Sequence, residues 1–154
     1  MNRLIRALLA EDSPSDADLV LASLAEDGLA EQIHVARDGV EALDFLLARN
    51  EFAWRVNEPP IQLVLLDLKL PRVDGFEVLA EIKGHERLRS TPVVMLTSSN
   101  IERDVVQAYR LGANSYVQKP VDFTEFRATI RMIGRYWLGA NESPPPAAFR
   151  LSVT

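Results

Sequence analysis

Glu11 and Asp12 stand where the apolar run Ile5 to Ala10 gives out, and Asp67 stands near the end of the run Ile61 to Leu68. Thr97-Ser98-Ser99 follow Val93 to Leu96, and Lys119-Pro120 follow Ser115 to Gln118. If these runs are parallel strands, three acids, a hydroxyl and an ammonium share one sheet edge. Carboxylates packed closely repel one another and disfavour joint ionisation. A hard dication relieves that repulsion, and Mg²⁺ takes a few carboxylates together with water and phosphate oxygens. One carboxylate can then attack phosphorus and carry an aspartyl phosphate. Lys119 and Thr97 would contact the transferred oxygens, so the chemistry is positioning and charge neutralisation.

Each residue also has a bland reading when taken singly. Glu11 and Asp12 suit a helix N-terminus, and Asp67 suits a turn before Pro71. Thr97 suits a strand-end cap, Lys119 a solvated surface and Tyr116 a core. Four strand ends with fitting chemistry, in order, outweigh those separate readings.

Amphipathic stretches must hold these ends in place. The apolar spacing predicts helices over Ala17 to Ala25, about Val40 to Ala48, about Gly75 to Gly84, about Glu102 to Leu111 and about Thr124 to Leu138. Ser13 or Ser15 can cap the first, Pro14 suits its first turn, and Gly28 is its stop. Ile33 to Ala36 reads as a short strand and Ile61 to Leu68 as a central one buried on both faces. Asn50 to Pro60 reads as a polar loop, long for its place, with Phe52 and Trp54 embedded. Fivefold strand–helix alternation implies an α/β doubly wound parallel sheet with helices on both faces. A barrel needs about eight repeats. Residues 1–139 form the expected domain, and 140–154, with Ser143-Pro144-Pro145-Pro146, a tail that is at least locally extended.

Composition narrows the classes. The chain has 154 residues, 47% hydrophobic and 25% charged, enough for one ordinary core. A net charge of −5 argues against a nucleic-acid surface. The absence of cysteine excludes disulfides and thiolate chemistry. No stretch approaches the roughly 18 apolar residues of a membrane span. Met1 to Ala10 stops short of a signal-peptide core. The expected location is the cytoplasm.

The strings LLAEDSPSDADLV (Leu8 to Val20), LVLLDLKLPRVDGFEVL (Leu63 to Leu79), PVVMLTSS (Pro92 to Ser99) and GANSYVQKPVD (Gly112 to Asp122) resemble the response regulator receiver family. The resemblance spans about Leu4 to Leu138. It implies a five-stranded flavodoxin-like sheet of order 2-1-3-4-5. It makes Asp67 the phosphoacceptor and Asp12 a direct ligand of Mg²⁺, or Mn²⁺ in its place. Glu11 acts on the ion through water, and the backbone carbonyl of Lys69 is a further ligand. Thr97 and Lys119 reach the phosphoryl group. Tyr116 is the aromatic whose rotamer tracks activation, turning inward as Thr97 moves. Lys119-Pro120 is a cis-proline junction. All five functional positions are occupied, which disfavours a degenerate member.

The phosphodonor implied is a phosphohistidine on a sensor histidine kinase. The long loop before the third strand, the TSS triplet, KPVD and the RYWL ending (Arg135 to Leu138) resemble stand-alone partners of phytochrome-type kinases. Output would pass to a downstream protein or a phosphotransfer protein. The surface around helix four, strand five and helix five, with Val105, Val106, Tyr109, Phe126, Ile130, Ile133 and Trp137 as apolar candidates, is the expected output face. That face, or the tail with Phe149 and Leu151, would also form a homodimer. Asn114 and Ser115 replace the acid many DNA-binding members use in their dimer. Rival readings are a receiver-fold scaffold that is not phosphorylated and a phosphatase of the haloacid dehalogenase type. The phosphatase needs a second acid at the position of Lys69 and a cap domain. A flavin or dinucleotide site would need a Gly-rich loop after strand one.

Overall fold

The computed structural model describes residues 4–145. Strands β1 (Ala7–Ala10), β2 (Ile33–Ala36), β3 (Leu63–Leu66), β4 (Val93–Thr97) and β5 (Ser115–Gln118) form one parallel sheet in the order β2-β1-β3-β4-β5. The strands alternate with α1 (Pro14–Ala25), α2 (Gly39–Leu46), α3 (Gly75–Gly84), α4 (Glu102–Arg110) and α5 (Phe123–Arg135). The expected doubly wound architecture is therefore the observed one.

Strand periodicity divides the core in two. Leu8, Ala10, Val64, Leu66, Val93 and Met95 point to the cluster shared with α2 and α3. Their neighbours Ala7, Leu9, Leu63, Leu65, Val94 and Leu96 point to the cluster shared with α1 and α5. Successive side chains alternate faces, so each central strand needs an unbroken apolar run. That requirement explains why β1, β3 and β4 are buried at every position.

Two expectations about connections change. The stretch expected to be a loop contains 3-10 turns over Asn50–Asn57, interrupted at Phe52 (φ −103°, ψ 15°). Phe52 is buried edge-on to Phe45, ring centroids 5.2 Å apart, and the Arg55 guanidinium lies 3.8 Å over the Phe45 ring. Arg55 also donates to the Phe45 carbonyl. An aromatic anchor thus folds a segment whose composition reads as polar. The last helix begins at Phe123 and its α-helical turns end at Arg135, with a π-helical turn over Tyr136–Ala140. Asn141–Pro145 carry no regular structure beyond a bend at Asn141. Pro146, Phe149 and Leu151 lie outside the described residues.

Candidate functional site

The sheet's strand order reverses direction between β1 and β3, and the crevice beyond their carboxyl ends is where such sheets bind ligands. In register, Ala10 pairs with Ala36 on one side and Leu66 on the other. Glu11 N donates to Ala36 O at 2.9 Å and Asp67 N to Ala10 O at 3.1 Å. The ladder thus extends one residue further and places Glu11 and Asp67 side by side.

Local chemistry fixes the turns that follow. Ser13 caps α1, its Oγ accepting from Asp16 N at 3.3 Å, and Pro14 opens the helix. After Asp67 the chain folds back so closely that a Cβ at Gly75 would lie 2.1 Å from the Asp67 carbonyl oxygen. A Cβ at Gly39 would lie 1.9 Å from the Val73 carbonyl oxygen. Any side chain at either position would displace the loop that carries Asp67 and Lys69.

Glu11, Asp12 and Asp67 each offer a carboxylate oxygen, all within 4.8 Å of one another. Two oxygens on one ion at about 2.1 Å stand at most about 4.2 Å apart, so small side-chain adjustments bring these carboxylates onto one divalent cation. Glu11 is buried and Asp12 exposed, so one acid supports the site from inside while another faces solvent. Lys69 is exposed, and its backbone N lies 3.3 Å from Asp67 Oδ1.

Lys119 reaches into this cluster from the end of β5. Its Nζ donates to Glu11 Oε1, to Asp16 Oδ2 at 2.9 Å and to Asp67 Oδ2 at 3.0 Å, with the side chain only 8% exposed. Burial pushes the Glu11 carboxyl up to about 7, against the lowering effect of its bond to Lys119, and the charge of Asp67 adds to the rise. For Lys119 burial works against the ammonium. The bonds to Glu11 and Asp16 and the charge of Asp67 outweigh it and hold the group above its ordinary range.

The Lys119–Pro120 junction corrects one expectation. No cis peptide bond occurs among the described residues, so this bond is trans. From the trans backbone Lys119 already reaches all three carboxylates.

Thr97 is fully buried, and its Oγ1 accepts from Ser99 N at 3.4 Å. Ser99 Oγ donates to Asp104 Oδ2 at 2.7 Å, and the Tyr116 hydroxyl donates to the Ser99 carbonyl at 2.9 Å. Burial foremost raises the Tyr116 pKa. Thr97, Ser99, Tyr116 and the first turn of α4 are therefore one connected network. Of the expected apolar output candidates, Phe126, Ile130 and Ile133 are core residues, while Val106 and Tyr109 are exposed together with Ile101.

Sequence reasoning missed Asp16 and Asp104, and it placed Ser99 at the end of the fourth strand without a role of its own. The S-x-x-D spacing of Ser13 and Asp16 was visible, but it reads as a helix start.

A sequence profile of the family described as "Response regulator receiver domain" matches residues 7–131. The chain is 43% identical over 140 residues to the "Probable methanogenesis regulatory protein FilR2" of Methanothrix harundinacea, covering 91% of this chain and 88% of that one. The Mn²⁺-bound form of the response regulator Rcp1, a protein of Synechocystis, superposes with a TM-score of 0.82 at 38% identity. That match covers 90% of this chain and 97% of Rcp1. The phosphorylated cyanobacterial phytochrome response regulator RcpA superposes with a TM-score of 0.84 at 34% identity, covering 92% of this chain and 99% of that one.

Proposed function

Because the chain belongs to the response regulator receiver family, we propose that it is a switch that accepts a phosphoryl group on Asp67. The observation that carries this reading is the seating of Lys119 Nζ 3.0 Å from Asp67 Oδ2, beside the trio Glu11, Asp12 and Asp67. Asp12 and Asp67 would hold Mg²⁺ or Mn²⁺ directly, Glu11 through water, and the Lys69 backbone carbonyl would add a ligand. The bound ion supplies charge neutralisation for the carboxylates and the phosphoryl oxygens.

The Asp67 carboxylate attacks phosphorus in line, and the bond from phosphorus to the donor nitrogen breaks as the imidazole leaves. Lys119 keeps its positive charge beside the oxygens that gain negative charge. Thr97 supplies a hydroxyl to the product. The added charge and acceptor oxygens draw Thr97 away from Ser99 N. Because Ser99 also holds Tyr116 and Asp104, that movement is transmitted to Tyr116 and α4. Only an interaction that differs between the two states can shift them, and these bonds differ.

The phosphodonor in this reading is a sensor histidine kinase. RcpA supports the phytochrome type, since it is described as a phytochrome response regulator. Ile101, Val106 and Tyr109 are exposed on the α4 side of the α4–β5–α5 output face, where a downstream or phosphotransfer protein, or a second copy, docks. A Mg²⁺-dependent fluoroberyllate titration followed by NMR tests the reading. Saturable shifts around Asp67, Thr97 and Lys119, absent in Asp67→Asn, are expected. A folded parent that binds neither ion nor mimic overturns it.

A further inference from the structure

We propose that Asp16 is a positioning residue that restrains Lys119, releasing it when a phosphoryl group reaches Asp67. The inference rests on the phosphoacceptor reading above. An ammonium has three N–H donors. All three of Lys119 are taken, by Glu11, Asp16 and Asp67, and the side chain is 8% exposed. A phosphoryl oxygen arriving on Asp67 therefore finds no spare donor, and one existing bond must break.

The three partners are not equal candidates for release. The Glu11 side chain is 2% exposed, and abandoning it leaves a buried acid with the Ser13 N–H but no cation. Asp67 is the residue that gains the phosphoryl group, so Lys119 follows it rather than leaving it. The Asp16 side chain is 38% exposed. Water replaces the lost bond there at small cost. Asp16 also borders a cleft of about 300 Å³ with Leu19, Ser98, Lys119 and Pro120, so solvent has access.

Asp16 cannot follow the lysine inward. It sits in the first turn of α1, where its backbone N is held by Ser13 Oγ and its charge suits the helix N-terminus. The acid is thus anchored to one element and the lysine to another. Their bond resists the lysine's transfer to the phosphoryl group, which sets the phosphorylated state's occupancy below what Lys119 alone would give.

Fluoroberyllate affinity at saturating Mg²⁺, measured by calorimetry, tests this. Asp16→Ala should bind the mimic about fivefold more tightly than the parent, the fold-change of one partly exposed ion pair. Asp16→Asn keeps an acceptor oxygen without the charge and should show a smaller gain in the same direction. It serves equally if the alanine variant folds poorly. In a Lys119→Met background, Asp16→Ala should leave affinity unchanged, because the restrained group is gone. Unchanged or weaker binding in both Asp16 variants, with a parent that binds, overturns the restraint. An equal gain with and without Lys119 also overturns it, since the charge would then act directly. A parent that binds no mimic removes the phosphoacceptor reading itself, and the restraint with it.

Discussion

Two charged networks join the region of α1 to later elements, and they pair the same kinds of acid with different cations to opposite effect. At the carboxyl edge one lysine is shared by Glu11, Asp16 and Asp67, with Asp12 beside them. Along the helices, Arg127, Arg131 and Arg135 of α5 meet Glu26 and Asp27, which follow α1. The second network is cation-rich and solvated, with side-chain exposures from 19% to 62%. The first is acid-rich and mostly buried. Exposed pairs are worth little each and hold surfaces together. A buried excess of carboxylates is a standing repulsion that a dication or a transferred group relieves. Burial and imbalance, not residue type, mark the first network as functional.

The comparison breaks most visibly at Asp67. Asp67→Asn should abolish the Mg²⁺-dependent fluoroberyllate response and, without metal, raise folding stability by about 1 kcal/mol by removing one repelling charge. Urea unfolding checks the second half, and a loss of stability would place the cluster in the same class as the helix ladder.

A smaller effect concerns pH. Glu11 lies at about 7 in the folded protein against 4.5 ordinarily, so the metal-free fold retains a proton between those values. Its contribution to stability is present at low pH and lost as pH rises through about 7. An ion competes with that proton. The melting-temperature gain from Mg²⁺ should therefore grow from about pH 5.5 to about pH 8. A gain independent of pH would remove Glu11 from the metal's surroundings.

The ladder gives the smallest change. Arg127 bonds Glu26 through Nε at 2.7 Å and a second guanidinium nitrogen, half exposed. Arg127→Ala should cost about 0.5 kcal/mol, less in high salt, and leave mimic binding unaltered. Asp27 is held below its ordinary pKa by hydrogen bonds from Arg135 and Arg131, so its share of stability is present above that range and fades as pH falls through it.

Much of this was legible in the sequence, for identifiable reasons. Buried parallel strands must be continuous apolar runs, so β1, β3 and β4 announced themselves and their ends named Glu11, Asp67 and Thr97. The apolar spacing of Gly75 to Gly84 matches the α3 bounds, and the structure adds Asp74 as its cap. The strand order came from family resemblance, because alternation alone leaves several orders open. Arg55 was missed because an arginine reads as surface until a ring is found beneath it. Asp16 was missed because its bond to Lys119 spans 103 positions and its local spacing already had an explanation.

The proposed switch depends on Asp67 taking the phosphoryl group. Incubation with phosphoramidate and Mg²⁺, followed by intact mass and peptide mapping, tests it most directly. One phosphoryl group is expected on the peptide containing Asp67, lost on chelation of the metal during the reaction and absent in Asp67→Asn. Equal labelling of Asp67→Asn, or none in the folded parent, would contradict it.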